Sequence, residues 1–394
     1  MNNKKKYFLH KAEQFYKELV ENILPFWYDN GYDKEFGGIL TCLGRNGELM
    51  DTDKSVWFQG RAAWVYLYAY NNIDKNPKWL ELGKSCVEFI DKFCYDVDGR
   101  MFYQVTRQGV PVRKRRYAFS ETFASIAYAQ YAIAVNDQRY AEKAVALLEK
   151  VFGLLASGTL EPKFIEEGFS AKGHSVCMIM INTAYCIREA IDEPILTKRI
   201  DNAIAELRKD FIKPDFKTIL ETVGPNGEFI DSIAGRTINP GHSIETGWFI
   251  IEEGIYRNNN NELIELGSQI VDWAWNWGWD ATRGGMQYFK DCKGYPVQEY
   301  WHDMKFWWPQ NEAVIANLYA YKTTKDEKYL ERFELANNYQ FEYLKDNAAG
   351  EWFGYLHYDN SVSQEAKGNL YKGPFHIPRM LMKCYQLCQE LAEE

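Results

Sequence analysis

Hydrophobic residues along this chain recur mostly every three to four positions and seldom in strict alternation, the period of a helix face rather than of a strand. Phe119, Phe123, Ile126 and Ala127 form one such stripe, and Leu263, Leu266, Ile270 and Trp273 another. The pattern predicts about twelve helices, near residues 5–29, 57–72, 76–94, 118–135, 138–154, 173–190, 194–211, 241–258, 261–277, 308–323, 326–345 and 376–391. Links within a pair are short. Between pairs lie longer stretches with glycine turns: EFGGILTCLGRNGEL, ILETVGPNGEFI and MQYFKDCKGYPV. Asn-Gly and Lys-Gly suit tight reversals, and strand-like residues flank them, so these stretches are expected to form short β-hairpins. The unit of hairpin, helix, helix repeats about six times at a spacing near 60 residues. One unit cannot bury its apolar face alone, so the repeats must close on each other. The expected fold is an all-α, (α/α)6 barrel, a single catalytic domain over residues 1–394 with the hairpins at one rim.

In such a ring the helix after each long connection lies inside, and its first turn faces the hairpin rim. Read in order, those turns bring together Trp57 and Arg61, then Glu121, then His174. Next come His242, Glu245 and Trp248, then Trp307, Trp308 and Glu312, then His376 and Arg379. Helix N-termini add free N–H groups and positive dipole ends, which favour the partly anionic oxygens of a reacting ligand.

Composition narrows the partners. The 46 basic and 55 acidic side chains leave a net charge of -9 with no long basic run, so neither nucleic acid nor an anionic membrane is an expected partner. Polar residues interrupt every apolar run after the basic start, and no stretch approaches a membrane span, so the expected address is the cytoplasm. The eight cysteines lack zinc-site spacing and disulfide density and are read as reduced thiols; Cys384 and Cys388 are assigned to packing. The run Arg113 to Arg116 is read as a solvated loop. His10, His302 and His357 are left as structural or surface residues, and most of the 13 tryptophans as core.

Several segments, in order, carry a resemblance: TCLGRNG from Thr41, VWFQGRAAW from Val56, FSETF from Phe119, GRTINPGHSIETGWF from Gly235, DCKGYP from Asp291, MKFWWPQNEA from Met304 and GPFHIPR from Gly373. Together they resemble the N-acylglucosamine 2-epimerase family. The resemblance implies an (α/α)6 barrel that interconverts N-acetylglucosamine and N-acetylmannosamine, often as a homodimer. It makes His242 and His376 the acid/base pair and puts Arg61, His174, Glu245, Trp248, Trp308 and Glu312, with Trp57 and Trp307, in the sugar pocket. His174 matches a third histidine linked to ring opening in the wider superfamily. Some members are activated by ATP without consuming it, which makes ATP an allosteric candidate, although the chain has no GxxxxGK[ST] phosphate loop.

The chemistry asks for the same residue types. Inverting C2 of an aldose needs an open-chain carbonyl, a base to remove the C2 proton, and an acid to return one on the opposite face. Histidine, with a reference pKa of about 6.5, suits both tasks. Arg61, helped by His174, is expected to hold the developing oxyanion. Glu245 and Glu312 would orient histidines or hydroxyls, and Trp248 and Trp308 would exclude water; no metal or redox cofactor is required. Three other readings stay open: a cellobiose 2-epimerase or aldose-ketose isomerase of the same superfamily; a glycoside hydrolase using two of Glu121, Glu245 and Glu312; and a non-catalytic binding protein.

Overall fold

The computed structural model describes residues 3–115, 117–157 and 170–394. Helix α1 runs Asn3–Lys17, passes through a π turn at Glu18–Ile23 and continues over Leu24–Gly31. It is followed by α2 (Val56–Asn72), α3 (Pro77–Phe93), α4 (Phe119–Val135), α5 (Gln138–Ala156), α6 (Ser175–Arg188) and α7 (Pro194–Glu206). A one-turn helix, α8 (Ile233–Arg236), was not expected; α9 (Pro240–Tyr256), α10 (Asn261–Gly278), α11 (Trp307–Thr324), α12 (Glu327–Tyr339) and α13 (His376–Glu393) complete the set.

Helices α2, α4, α6, α9, α11 and α13 touch in that cyclic order, and α13 returns to α2. Each of α3, α5, α7, α10 and α12 packs outside the inner helix before it, and α1 covers α13, so the first helix seals the ring against the last. The fold is an (α/α)6 barrel. Position in the rings explains the sequence pattern. Inner α11 is buried without interruption from Trp307 to Tyr321, because one side meets the outer ring and the other the barrel axis. Outer α10 buries a stripe that includes Leu263, Ile264, Gly267, Ile270, Val271 and Ala274 and leaves its other face wet.

Capping also differs between the rings. Outer α3, α5, α10 and α12 start on Asn76, Asp137, Asn260 and Asp326, whose side chains accept from the first turn, each contributing about 1 kcal/mol. Inner helices other than α9 have no side-chain cap, so their first N–H groups face the rim.

The expected reversals are present, with Gly47, Gly227 and Gly294 at φ of 86, 87 and 78°. Of the three stretches only the first bridges across its own turn, at Leu43 and Leu49; the strand residues beside Gly227 and Gly294 pair with other segments instead of closing the expected hairpins. Two-residue ladders join Lys54–Ser55 to Gln104–Val105, Lys172–Gly173 to Thr222–Val223, Thr237–Ile238 to Lys290–Asp291 and Lys305–Phe306 to Tyr355–Leu356. Each ladder ties the start of one inner helix to the connection that leads into the next. Two connections carry the same clamp five residues apart. Lys54 Nζ reaches Asp33 at 2.9 Å while Gln59 bonds both Ile39 N and O; Lys305 Nζ reaches Asp280 at 3.0 Å while Gln310 bonds both Met286 N and O. In this register Trp57 corresponds to Trp308, and Arg61 to Glu312, so rim side chains are set at matching heights. Among the described residues no helix is long and apolar enough to cross a membrane. All eight cysteines are buried and unpaired.

Candidate active site

A cleft of about 610 Å³ opens at the hairpin rim over the inner ring. Of the residues picked from sequence, Trp57, Arg61, His242, Glu245, Trp307, Trp308, His376 and Arg379 line it. His242 sits in the first turn of α9, where Pro240 fixes the entry and Asn239 Oδ1 accepts from His242 N at 3.1 Å. His376 opens α13. Trp308 packs against both rings, with centroids 5.0 Å from His242 and 5.8 Å from His376. The indole fits because residue 241 is glycine: a Cβ there would lie 2.6 Å from the Trp308 ring. Gly241→Ala is therefore expected to push Trp308 off both imidazoles. Turnover should fall on the order of 100-fold, the scale for a misplacement near 1 Å, while circular dichroism stays that of wild type.

The two histidines differ in their surroundings. His376 Nδ1 lies 2.8 Å from Glu312 Oε1, and that carboxylate also accepts from Arg379 Nη2 at 2.7 Å and Trp248 Nε1 at 2.8 Å. Burial pushes the Glu312 carboxyl up, but three donors on two oxygens are the pattern of an ionised carboxylate. Burial, then the Arg379 charge, holds His376 well below the usual 6.5, so its ring is neutral, with Nδ1–H donating to Glu312 and Nε2 left as a base. For His242 burial again pulls downward, but the Glu221 carboxylate outweighs it through its charge and a 3.0 Å bond to Nδ1, and the pKa is raised from 6.5.

One ligand atom each of Glu245, Glu312 and His376 lie within 4.8 Å of one another, close enough to hold a metal ion. Arg379 Nη2 already donates to both carboxylates, so the guanidinium supplies the positive charge there. Arg61 has a different setting. Its guanidinium carbon lies 4.1 Å from the Phe123 centroid and 4.7 Å from that of Phe375, and burial, then Arg379, lowers its pKa to about 9. Arg61 Nε, Arg379 Nε and Trp307 Nε1 are buried and have no hydrogen-bond partner among the described residues.

Four expected pocket residues lie outside the cleft. Glu121 is buried and holds the preceding loop, accepting from Arg100 Nε at 2.8 Å and Met101 N at 3.0 Å. Trp248 is fully buried, stacked on Tyr319 beneath Glu312. Glu312 itself is fully buried behind His376. His174 is also fully buried, one layer behind His242, so it has no surface to offer a sugar. Sequence reasoning missed Glu221, which lines the cleft, and the aromatic wall of Phe123, Phe249, Tyr288, Phe306, Tyr355 and Phe375. The only signal for Glu221 was a lone carboxylate in the strand-like run ILETV. In the basic run, Arg115 pairs with Asp96 and Asp98, as a solvated loop does, and Arg116 lies outside the described residues. His302 uses its carbonyl to hold Tyr288 N and Phe289 N.

Residues 37–373 match the model of the family described as N-acylglucosamine 2-epimerase (GlcNAc 2-epimerase). The chain belongs to the N-acylglucosamine 2-epimerase family. The N-acylglucosamine 2-epimerase of Bos taurus is 32% identical over 381 residues, covering 94% of this chain and 90% of its own. The cellobiose 2-epimerase of Dictyoglomus turgidum stands further off, at 24% identity with 94% and 97% of the two chains covered. Among solved structures, the cellobiose 2-epimerase of Spirochaeta thermophila superposes with a TM-score of 0.83 over 99% of both chains at 19% identity, a likeness of fold. Members of the N-acylglucosamine 2-epimerase family are thus similar to this chain from the first rim connection to the last.

Proposed function

We propose that the protein is an N-acylglucosamine 2-epimerase that interconverts N-acetylglucosamine and N-acetylmannosamine, with His242 and His376 as the acid/base pair. The observation that carries this reading is the pair of imidazoles that both pack against Trp308 in one cleft, with pKa values shifted in opposite directions from 6.5. On the open-chain sugar, neutral His376 Nε2 takes the C2 proton and the C2–H electrons move toward the C1 carbonyl, giving a C1 enolate whose C2 carries the acylamino group. Arg61, Arg379 and Trp307 donate to its oxygens. The His242 imidazolium then returns a proton to C2 on the opposite face, and the C1 carbonyl reforms. One turnover leaves His376 charged and His242 neutral, the state needed for the reverse reaction; exchange with water resets the pair. Both transfers are made by side chains, so no oxidant and no metal are consumed. His174 is assigned no contact with the sugar.

The test is incubation with N-acetylmannosamine in heavy water, with cellobiose and mannose alongside. N-acetylglucosamine carrying deuterium at C2 is expected; absence of both product and label ends the proposal, and label in cellobiose alone moves it to the sister activity. The proposal includes one catalytic domain over residues 1–394, a cytoplasmic address, a homodimer and allosteric ATP. Sedimentation equilibrium checks the dimer, and ATP added to the assay should raise turnover without being hydrolysed.

The profile of kcat/KM against pH follows from the two shifts. His376 must be neutral and its pKa is depressed, so the acid limb should lie well below pH 6.5; His242 must be protonated and its pKa is raised, so the alkaline limb should lie above pH 6.5. A plateau that includes pH 6.5 is expected, and a maximum confined below pH 6 would contradict it.

A further inference from the structure

Glu221 is reached by two imidazoles from different parts of the chain. Its Oε2 lies 3.0 Å from His242 Nδ1 and its Oε1 lies 3.4 Å from His174 Nδ1. On the far side of its ring, His174 Nε2 lies 3.0 Å from Thr246 Oγ1, and Thr246 Oγ1 donates to the His242 carbonyl at 2.9 Å. The contacts therefore form a closed circuit, from the His242 ring through Glu221, His174 and Thr246 back to the His242 backbone. The backbone holds the same parts. Glu221 O accepts from His174 N at 3.1 Å, and Glu221 N donates to Thr237 O at 3.2 Å, three residues before the α9 helix. This places the carboxylate on the segment that joins the starts of α6 and α9.

We propose that Glu221 is the positioning residue of His242: it fixes the Nδ1–H form of the ring, so that Nε2 is the nitrogen presented to the cleft, while His174 and Thr246 brace it from behind. The inference rests on His242 acting at substrate C2. An ionised carboxylate can only accept, so the facing Nδ1 must carry the proton. A bond that selects one ring nitrogen also selects the ring's orientation, as carboxylates do for metal-bound and catalytic histidines. The other titratable groups facing His242 are Glu245 on its own helix, His174 at the head of α6 and His376 at the head of α13; Glu221 is the one among them that hydrogen-bonds the ring. His174 in turn is fully buried, which accounts for a histidine at a rim position that cannot touch a ligand.

The experiment is substrate-free NMR of the full chain labelled with ¹⁵N-histidine, in wild type, E221Q, E221D and H174F, with the His242 signals identified by their loss in H242Q. Wild type should show proton-bearing Nδ1 in both charge states of His242. In E221Q the titration midpoint should fall by about one to two pH units, the usual effect of removing an adjacent opposite charge, and the neutral ring should lose its preference for Nδ1–H. E221D keeps the charge on a shorter arm and should fall between; H174F should leave the midpoint no lower than in wild type. The alkaline limb of the rate profile should move with the midpoint, with kcat reduced more than KM is changed. A His242 midpoint and tautomer unchanged in both E221Q and E221D, with melting curves showing folded protein, overturns the proposal. Failure of wild type to act on N-acetylmannosamine would instead count against the epimerase reading, since the NMR titration contains no sugar.

Discussion

Replacing His376 by Asn or His242 by Gln is expected to stop epimerisation, with a loss on the order of 1,000-fold or more, within the range for removing a positioned acid or base. The informative readout is what remains. With one imidazole on each face of C2, either variant keeps a single base that can remove and return a proton on its own face. His376→Asn should therefore wash deuterium into one epimer without inverting it, and His242→Gln should label the other. Label in the same epimer for both variants, or continued inversion by His376→Asn, would falsify the two-histidine scheme. Both substitutions keep a side chain able to hydrogen-bond through its amide, to Glu312 or Glu221, so thermal unfolding should stay near that of wild type.

The second large effect separates two arginines that lie in one cleft. Arg379 joins Glu245 to Glu312. Arg379→Met leaves two buried carboxylates without their shared cation, and the loss should be about 3–5 kcal/mol of stability, the cost of breaking a buried ion pair from one side. Arg61 makes no side-chain ion pair among the described residues; aromatic rings surround it, and burial with the Arg379 charge has brought its pKa down to about 9. Arg61→Met removes a costly buried charge and refills the aromatic slot, so the melting temperature should hold or rise. Turnover should nonetheless drop by about 100- to 1,000-fold, the usual size for a lost oxyanion donor. Calorimetry and kinetics on the two variants should give opposite patterns; equal destabilisation, or an Arg61→Met enzyme with wild-type turnover, would show that the guanidinium has been misread.

These expectations depend on details of unequal legibility. The ring was readable because helical period, pair spacing and glycine turns are local properties, and inner helices such as α11 declare themselves by being apolar all round. The rim positions of His242 and His376 followed from the same reading, since each stands in the first turn of a helix that follows a long connection. Depth was not readable. Glu121, Trp248 and Glu312 are on the inner helices that were expected, yet each faces a neighbouring helix or loop rather than the opening, because a turn of about 100° per residue sends close neighbours to different sides. His174 occupies a rim turn and is still covered, because Glu221, from the connection ahead of α9, lies between it and the cleft.

By itself the sequence determined the helical repeat, its closure into two rings, and the rim turns, with three histidines among them, that the ring would bring to one end. Those follow from periodicity and from the need of each unit to bury its apolar face. Which nitrogen each imidazole offers, and which way the pKa of each is moved, was decided only in the folded molecule. Charge state depends on burial and on partners within hydrogen-bond reach, and those partners, Glu221 for one ring and Glu312 with Arg379 for the other, come from segments whose proximity no local pattern encodes.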